Sequence, residues 1–196
     1  MPAERPGRDA RRPATRTAPK PEPVLTPAGL ERSALWHLQR RALTEHELRT
    51  ALGKKVKRAA AEHGPSDDAG TWIDALVARL RDSLLVDDDR VARARVDSGR
   101  ARGLSKRRIA DKLRQKGVSA DVAKAAIEAV DAVAAVADDV HDDGVEHNPD
   151  LDAARILVRR RRLRDKDPQK ALAALARQGF SYAIAKRALA ADDDDR

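Results

Sequence analysis

The feature that most constrains this chain is an internal repeat with a period of about 62 residues. After a shift of 62 positions, identical residues meet at a helix stop, at the next cap and along an apolar stripe: Leu113 and Leu175, Gly117 and Gly179, Ser119 and Ser181, Ala123 and Ala185, Lys124 and Lys186, Ala126 and Ala188. A shift of 61 places Thr44 opposite Ser105 and Leu52 opposite Leu113. Self-similarity at a fixed period indicates tandem structural units. Units this small pack on their neighbours because each buries little surface alone.

The units are helical, because residues typical of helix ends recur throughout the chain. Thr44 and Glu47 form a capping box, in which each side chain accepts a hydrogen bond from the other residue's backbone amide. Gly117 and Gly179 stand at helix ends, where glycine adopts the left-handed conformation at little cost. The predicted helix starts are Thr26, Thr44, a position near Thr71, Asp87, Ser105, Ser119, Asn148, Asp167 and Ser181. No segment alternates apolar and polar residues as a strand does.

Apolar residues recur at helical spacing after these starts and define the predicted core. They are Leu30, Ala34, Leu35, Leu38, Leu48, Leu52, Trp72, Ile73, Leu76, Val77, Leu80, Val91, Ala92, Val96, Ile109, Leu113, Val122, Ala126, Ile127, Val130, Ile156 and Leu163. We therefore predict an all-α protein of three tandem three-helix repeats, which form an elongated, curved array behind a disordered N-terminal tail.

Composition marks the boundaries of the three repeats. Residues 1–23 contain six of the ten prolines and no apolar periodicity, which is typical of a disordered segment. Residues 138–152 contain seven acidic residues and no lysine or arginine, and Gly144 and Pro149 interrupt them. The predicted organisation is a disordered basic tail over 1–25, helical repeats over 26–85, 86–137 and 149–191, an acidic linker over 138–148 and an acidic tail over 192–196.

The overall composition narrows the classes of partner. The formal net charge of +8 and the pI of about 10.1 favour a polyanionic partner, such as nucleic acid or an acidic filament. An aromatic content of 2% is too low to stack a succession of bases, so we do not expect a sequence-specific single-strand reader. The chain has no cysteine, and no apolar run approaches the roughly 20 residues of a membrane helix. We expect a cytoplasmic protein without membrane contact.

Two segments concentrate positive charge. Residues 100–116 contain eight basic residues and one acidic residue, Asp111. Residues 155–166 contain seven basic residues and one acidic residue, Asp165. A solvated helix face usually carries both signs of charge. The excess of one sign therefore favours a polyanion contact, with a merely solvated face as the alternative.

The sequence contains no motif for catalysis or for cofactor binding. It lacks a phosphate-binding loop, a GxSxG nucleophile turn and a HExxH zinc motif. His141 and His147 lie in the acidic stretch, but their spacing fits no helical pair of metal ligands, and we interpret that stretch as a solvated linker. We expect no catalytic residue, no metal and no cofactor.

The stretch LVDDDRVARARVDSGRARGLSKRRIADKLRQKGVSADVAKAAI, residues 85–127, resembles the RecX regulatory family. The likeness lies in a leucine with paired aspartates, in alanine, valine and arginine at set intervals, and in a basic linker, a glycine turn and a second short helix. Residues 34–52 and 175–189 resemble the first and third repeats of the family. Three departures are Val91, where the family usually has phenylalanine, the longer segment 53–70 and the unusually long acidic stretch 138–152.

The resemblance implies a regulator that lies in the groove of the RecA–DNA filament and inhibits strand exchange, ATP hydrolysis and repressor self-cleavage. By position, we expect the filament-facing residues to be Arg100, Arg102, Lys106, Arg107, Lys112 and Arg114, followed by Arg155, Arg159 and Arg162. A second hypothesis, from charge and the helix–turn–helix form of the units, is an autonomous DNA-binding protein of weak sequence specificity. An enzyme is the third hypothesis and has no supporting site. We expect a monomer.

Overall fold

The structure is a computed structural model that describes residues 25–138 and 148–190. These ranges contain no strand and nine helices: α1 (Pro27–Arg40), α2 (Glu45–His63), α3 (Ala69–Asp82), α4 (Asp88–Ala101), α5 (Lys106–Gln115), α6 (Ala120–Asp138), α7 (Pro149–Arg161), α8 (Pro168–Arg177) and α9 (Tyr182–Ala190). The prediction of an all-α fold is confirmed. The predicted tails and acidic linker lie outside the described ranges, apart from their boundary residues.

The helices begin where the short polar residues predict. Thr26 caps α1, and Thr44 and Glu47 make both hydrogen bonds of the capping box at the start of α2. Further predicted caps accept from an amide in the first turn of their helices: Asp87, Ser105, Ser119, Asn148, Asp167 and Ser181. The third helix differs, because it begins at Ala69 and its N-cap, Asp68, makes no side-chain cap bond.

Each consecutive set of three helices encloses its own apolar core. We call these sets unit 1 (α1–α3), unit 2 (α4–α6) and unit 3 (α7–α9). The largest fully buried side chains of the three cores are Leu30, Leu43, Leu48, Leu52 and Val77 in unit 1, Val96, Leu113 and Ile127 in unit 2, and Leu157, Val158, Leu163 and Leu175 in unit 3. Unit 2 contacts unit 3 through α4 and α6, which both pack on α7.

The observed core differs from the predicted one, since it also contains residues such as Leu43, Leu151 and Leu157. The prediction was wrong for Leu35, which is 36% exposed, and six further predicted core residues are only half-buried: Leu38, Trp72, Ile73, Val122, Val130 and Ile156. Leu35 lies on α1, which packs mainly on α2 and α3, so part of its apolar stripe meets solvent. Ile156 lies on α7 and lines an open groove between units 2 and 3.

The long segment after the first turn extends a helix. The second helix of unit 1, α2, has 19 residues, whereas its counterparts α5 and α8 have 10 each. It ends at Gly64, whose φ of 86° is in the region that glycine adopts without strain. In the part of the chain that the structure describes, no helix is long and apolar enough to cross a membrane.

Candidate interaction surface

Units 1 and 2 meet through the N-terminal end of α2, at an interface that we call joint 1. The hydroxyl of Thr44 caps α2 and also donates to the backbone carbonyl of Lys116 at 2.7 Å. The amide of Glu45 donates to Asp88 Oδ1 at 2.8 Å. Gly117 approaches α2 so closely that a Cβ atom there would lie 2.2 Å from the Cβ atom of His46. Two hydrogen-bond donors at the start of α2 therefore hold joint 1, and glycine at position 117 allows the close approach.

Units 2 and 3 meet in the same way through the N-terminal end of α5, at joint 2. The hydroxyl of Ser105 donates to the backbone carbonyl of Gln178 at 2.6 Å, and the amide of Lys106 donates to Asp150 Oδ1 at 2.8 Å. A Cβ atom at Gly179 would lie 2.7 Å from Ser105 Oγ. Both hydrogen bonds match a bond of joint 1 after a shift of 61 or 62 residues. Gly179 also approaches Arg107 as Gly117 approaches His46, since a Cβ atom there would lie 3.4 Å from the Cβ atom of Arg107. The repeat therefore extends to the interfaces.

Arg100 was predicted to face a partner, but its guanidinium lies inside the protein. Its side chain is 14% exposed and donates two hydrogen bonds to the carboxylate of Asp131, at 2.9 and 2.7 Å. It also forms an ion pair with Asp150, the aspartate of joint 2. Arg100 thereby connects α4 to α6 and α7 and has little of its charge available at the surface.

The other predicted residues near α5 are all exposed to solvent: Arg102, Lys106, Arg107, Lys112 and Arg114. Two of them bind neighbours on their own helix: Arg102 Nε donates to the carbonyl of Ser98 at 2.8 Å, and Arg114 pairs with Asp111 at 2.5 Å.

Three of these side chains, those of Lys106, Arg107 and Lys112, pair with no carboxylate among the described residues. Arg108 shares this property and is exposed, although the sequence-based set omits it. It stands one turn before Lys112 on the same helix, and this i to i+4 spacing could have identified it. We call Lys106, Arg107, Arg108 and Lys112 the α5 surface.

The second basic cluster lies apart from the α5 surface. Arg155 is half-buried and pairs with Asp152 at 3.3 Å. Arg159 and Arg162 are exposed at the C-terminal end of α7, whereas the N-terminal end of α7 meets α5 through Asp150. At a rise of 1.5 Å per residue, roughly 15 Å of helix separates the two ends. The α5 residues therefore share one short helix, and this cluster is a separate region.

Sequence reasoning passed over a basic run on α2. Lys54, Lys55, Lys57 and Arg58 occur within five residues and have no acidic residue among them, which is the signal that could have found them. His141 and His147, which the sequence placed in a linker and not in a metal site, lie outside the described residues. Within residues 25–138 and 148–190, no cluster of three or more acidic, histidine or cysteine side chains is arranged to hold a metal ion.

Comparison with known proteins identifies a family. Residues 87–127 match the family model described as the second three-helix domain of RecX. The chain is 38% identical over 181 residues to a regulatory protein RecX from Myxococcus xanthus, which covers 87% of this chain and 89% of the relative. It is 32% identical over 166 residues to a regulatory protein RecX from Agrobacterium fabrum, which covers 81% of this chain and 80% of that relative.

Solved structures show the same fold at lower sequence identity. The crystal structure of RecX from Lactobacillus salivarius superposes with a TM-score of 0.55 at 18% identity, over 83% of this chain and 94% of that one. A second crystal structure of a regulatory protein RecX gives a TM-score of 0.57 at 19% identity, over 82% of this chain and 70% of that one. With the 38% identity to the Myxococcus protein, this likeness identifies the chain as a member of the RecX family of regulatory proteins.

Proposed function

We propose that this protein binds the RecA–DNA filament and inhibits its recombinase, ATPase and coprotease activities. Family membership supports the assignment, because the relatives are named regulatory proteins. The observation that carries the proposed binding mode is the α5 surface, where one short helix exposes four cations that have no carboxylate partner among the described residues. A DNA-containing filament is a polyanion, and a helix with this excess of exposed positive charge is complementary to it.

The structure also refines which residues we propose as contacts. Arg100 is committed to Asp131 and Asp150, so we assign it to joint 2 rather than to the partner. Arg107 lies at joint 2 beside Gly179, where a Cβ atom would be 3.4 Å from the Cβ atom of Arg107. Hydrogen bonds at the two joints connect unit 2, which carries the α5 surface, to both neighbouring units. Inhibition would then follow from binding alone, without a chemical step.

The test is the ATPase activity of RecA on single-stranded DNA, titrated with the native protein and with two variants. Arg107→Glu/Lys112→Glu reverses two charges of the α5 surface. Lys57→Glu/Lys124→Glu makes the same change in charge at exposed positions outside it. We expect inhibition by the native chain at stoichiometric amounts, about tenfold weaker inhibition by the first variant (~1.4 kcal/mol) and no change in the second. A native chain that leaves the ATPase unaffected would refute the proposal.

An autonomous reader of duplex DNA is the second candidate function, and the structure gives it less support. In a helix–turn–helix, the helix after the turn contacts the bases. In unit 2 that helix is α6, whose first turn exposes Ala120 and Asp121 instead of basic or amide side chains. An aspartate there would repel the phosphates. Salt-dependent binding to a duplex in the absence of RecA tests this candidate separately.

A further inference from the structure

A second basic groove lies at joint 1, outside the residues that the sequence singled out. It has a volume of about 640 Å³ and lies between α1, α2 and the C-terminal end of α5. Its charged lining consists of Arg41, Lys54, Lys55, Arg58, Lys116 and Glu47. Five cations from two units thus converge on a groove whose described lining includes one carboxylate.

That carboxylate is already neutralised by neighbours. Glu47 is 9% exposed, binds Lys116 Nζ at 3.0 Å and the guanidinium of Arg95, and accepts from the amide of Thr44 at 3.2 Å. Burial alone would raise the pKa of Glu47, but the hydrogen bonds from Lys116, Arg95 and Thr44 outweigh burial and lower that pKa to about 2. Glu47 therefore stays ionised, and its charge is used within joint 1 instead of opposing an anion in the groove.

The remaining cations keep the groove positive. Arg41, Lys54 and Lys55 pair with no carboxylate among the described residues. His37, which also lines the groove, reports the resulting field: burial lowers its pKa, and the charges of Arg41 and Arg40 lower it further. An anionic ligand would relieve the repulsion that these side chains exert on one another.

An exposed indole borders these cations. Trp36 lines the groove and is 52% exposed, although its size would favour burial. The guanidinium of Arg40 lies 4.5 Å from the centre of the Trp36 ring, and the His37 ring meets its edge. The guanidinium covers one face of the ring, and part of the indole stays open to solvent. An exposed aromatic ring beside a cationic groove is suited to stack one nucleobase.

The repeat relates this groove to the α5 surface. A shift of 61 residues places His46 opposite Arg107 and Ala51 opposite Lys112. The structure preserves this correspondence, since His46 lies against Gly117 in joint 1 and Arg107 lies against Gly179 in joint 2. The groove and the α5 surface therefore occupy equivalent places one repeat apart, and a linear polyanion can meet both in succession.

We propose that the groove at joint 1 binds the sugar–phosphate backbone of a single-stranded nucleic acid, with Trp36 stacked on one unpaired base. Phosphates spaced along a strand suit cations that stand on successive turns of α2 and at the end of α5. An acidic peptide would supply negative charge but no ring for Trp36, and a duplex keeps its bases stacked inside. The site requires no RecA and does not depend on the function proposed above.

The experiment measures fluorescence anisotropy of a labelled 12-nucleotide oligothymidylate with the full-length protein alone. Lys54→Glu/Lys55→Glu is expected to weaken binding about tenfold and to lower the slope of log affinity against log salt by about 1.4, at roughly 0.7 per phosphate contact. Lys57→Glu/Lys124→Glu, with the same change in charge outside the groove, should bind like the native protein. Trp36→Ala should weaken binding at least about fivefold, whereas Tyr182→Ala, which removes a 70% exposed ring elsewhere, should not. Circular dichroism confirms that each variant is folded.

Three results would overturn the proposal. Equal binding by the two lysine variants would show that the strand does not occupy this groove. If a duplex bound equally well or more tightly, and Trp36→Ala bound the strand like the native protein, no base would stack on Trp36. Displacement of the strand by polyglutamate at equal charge concentration would instead indicate an acidic protein segment. RecA inhibition by the native chain and its loss in Arg107→Glu/Lys112→Glu are measured independently, so either proposal can fail alone.

Discussion

The two joints share one frame of hydrogen bonds but place opposite charges at their centres. In both, a capping hydroxyl donates to a helix-end carbonyl, and the next amide donates to an aspartate of the following unit. Joint 1 adds a buried anion, Glu47, held by the cations Arg95 and Lys116. Joint 2 adds a mostly buried cation, Arg100, held by two aspartates. The comparison shows that contacts made by the backbone and by caps repeat, while long charged side chains fill the space around them differently.

The same comparison distinguishes the start of α8 from the starts of α2 and α5. The position equivalent to Ser105 in unit 3 is Asp167, and the position equivalent to Lys106 is Pro168. Asp167 caps α8 through Lys170, but an ionised carboxylate cannot donate to a further carbonyl, and proline has no amide hydrogen. The start of α8 therefore lacks both of the donors that the two joints use.

The largest expected effect comes from adding a methyl group at Gly117, where units 1 and 2 approach each other closely. Gly117→Ala should cost about 3.5 kcal/mol of unfolding free energy, because it combines left-handed strain with overlap onto the Cβ atom of His46, which cannot rotate away. Gly179→Ala should cost somewhat less, about 3 kcal/mol, because it combines left-handed strain with displacement of the Ser105 hydroxyl from its two hydrogen bonds, although a hydroxyl can rotate where the Cβ atom of His46 cannot. Urea unfolding at pH 7 measures both.

Gly53→Ala is the control for these two substitutions. Gly53 lies within α2, and a Cβ atom there would meet nothing within 4 Å. The change should therefore stabilise the protein by about 0.5–1 kcal/mol. Equal costs for Gly117→Ala and Gly179→Ala would mean that the two joints do not differ in tightness as described.

The opposite ionic chemistry predicts unequal costs when each central charge is removed. Arg100→Met should cost about 3 kcal/mol, because two carboxylates that are 20–24% exposed lose their cation. Glu47→Gln should cost about 1.5 kcal/mol, because Lys116 is 50% exposed and can turn to solvent. Arg79→Met, which breaks an exposed pair with Glu31, provides the control and should change stability by less than about 0.5 kcal/mol. A larger loss for Glu47→Gln than for Arg100→Met would contradict this ranking.

The shared frame predicts equal costs at the two capping hydroxyls. Thr44→Ala and Ser105→Ala should each cost about 2 kcal/mol, roughly half from the lost cap and half from a buried carbonyl left without its donor. Ser119→Ala and Ser181→Ala remove a cap bond from exposed serines and should cost only about 1 kcal/mol. Chemical denaturation of the four variants compares them. If all four costs were the same, the bonds across the joints would contribute nothing.

Joint 1 should also show a pH dependence of its own. The pKa of Glu47 is about 2, below its ordinary value of 4.5, so its contribution to stability is complete above pH 5 and is lost as pH falls from 4.5 towards 2. The stability difference between the native protein and Glu47→Gln should therefore shrink across this range. Burial raises the pKa of Asp88, so its effect has the opposite sign, but it is present in both proteins and cancels. A difference that stayed constant from pH 7 to pH 2.5 would contradict the assigned role of Glu47.

Local chemistry made much of the fold predictable from sequence. Caps such as Thr44 and Ser105 act within three residues, and Gly117 and Gly179 act through their own backbone angles, so a short window of sequence reveals them. The joints were not predictable, because the second bond of each hydroxyl reaches a carbonyl 72 or 73 residues away. The shift of 62 aligned these residues without showing that they touch.

The candidate site was predictable in composition but not in detail. A count of charges identified residues 100–116 as basic, and the structure finds most of that charge exposed. The count could not show that Arg100 would be held by Asp131 and Asp150, since that depends on how three helices pack. For the same reason it did not show that Lys54 and Lys116, from different units, would line one groove.

The most direct test of the shared frame is native-state hydrogen exchange on Ser105→Gly/Lys106→Pro. Glycine at an N-cap costs only a few tenths of a kcal/mol and proline is favourable at the first helical position, so α5 keeps its start while joint 2 loses both donors. We predict that the slowest amides of α7–α9 lose about 2 kcal/mol of protection, while those of α1–α3 are unchanged. Unchanged protection in α7–α9 would contradict the account, because the repeated donors would then not be what holds one unit to the next.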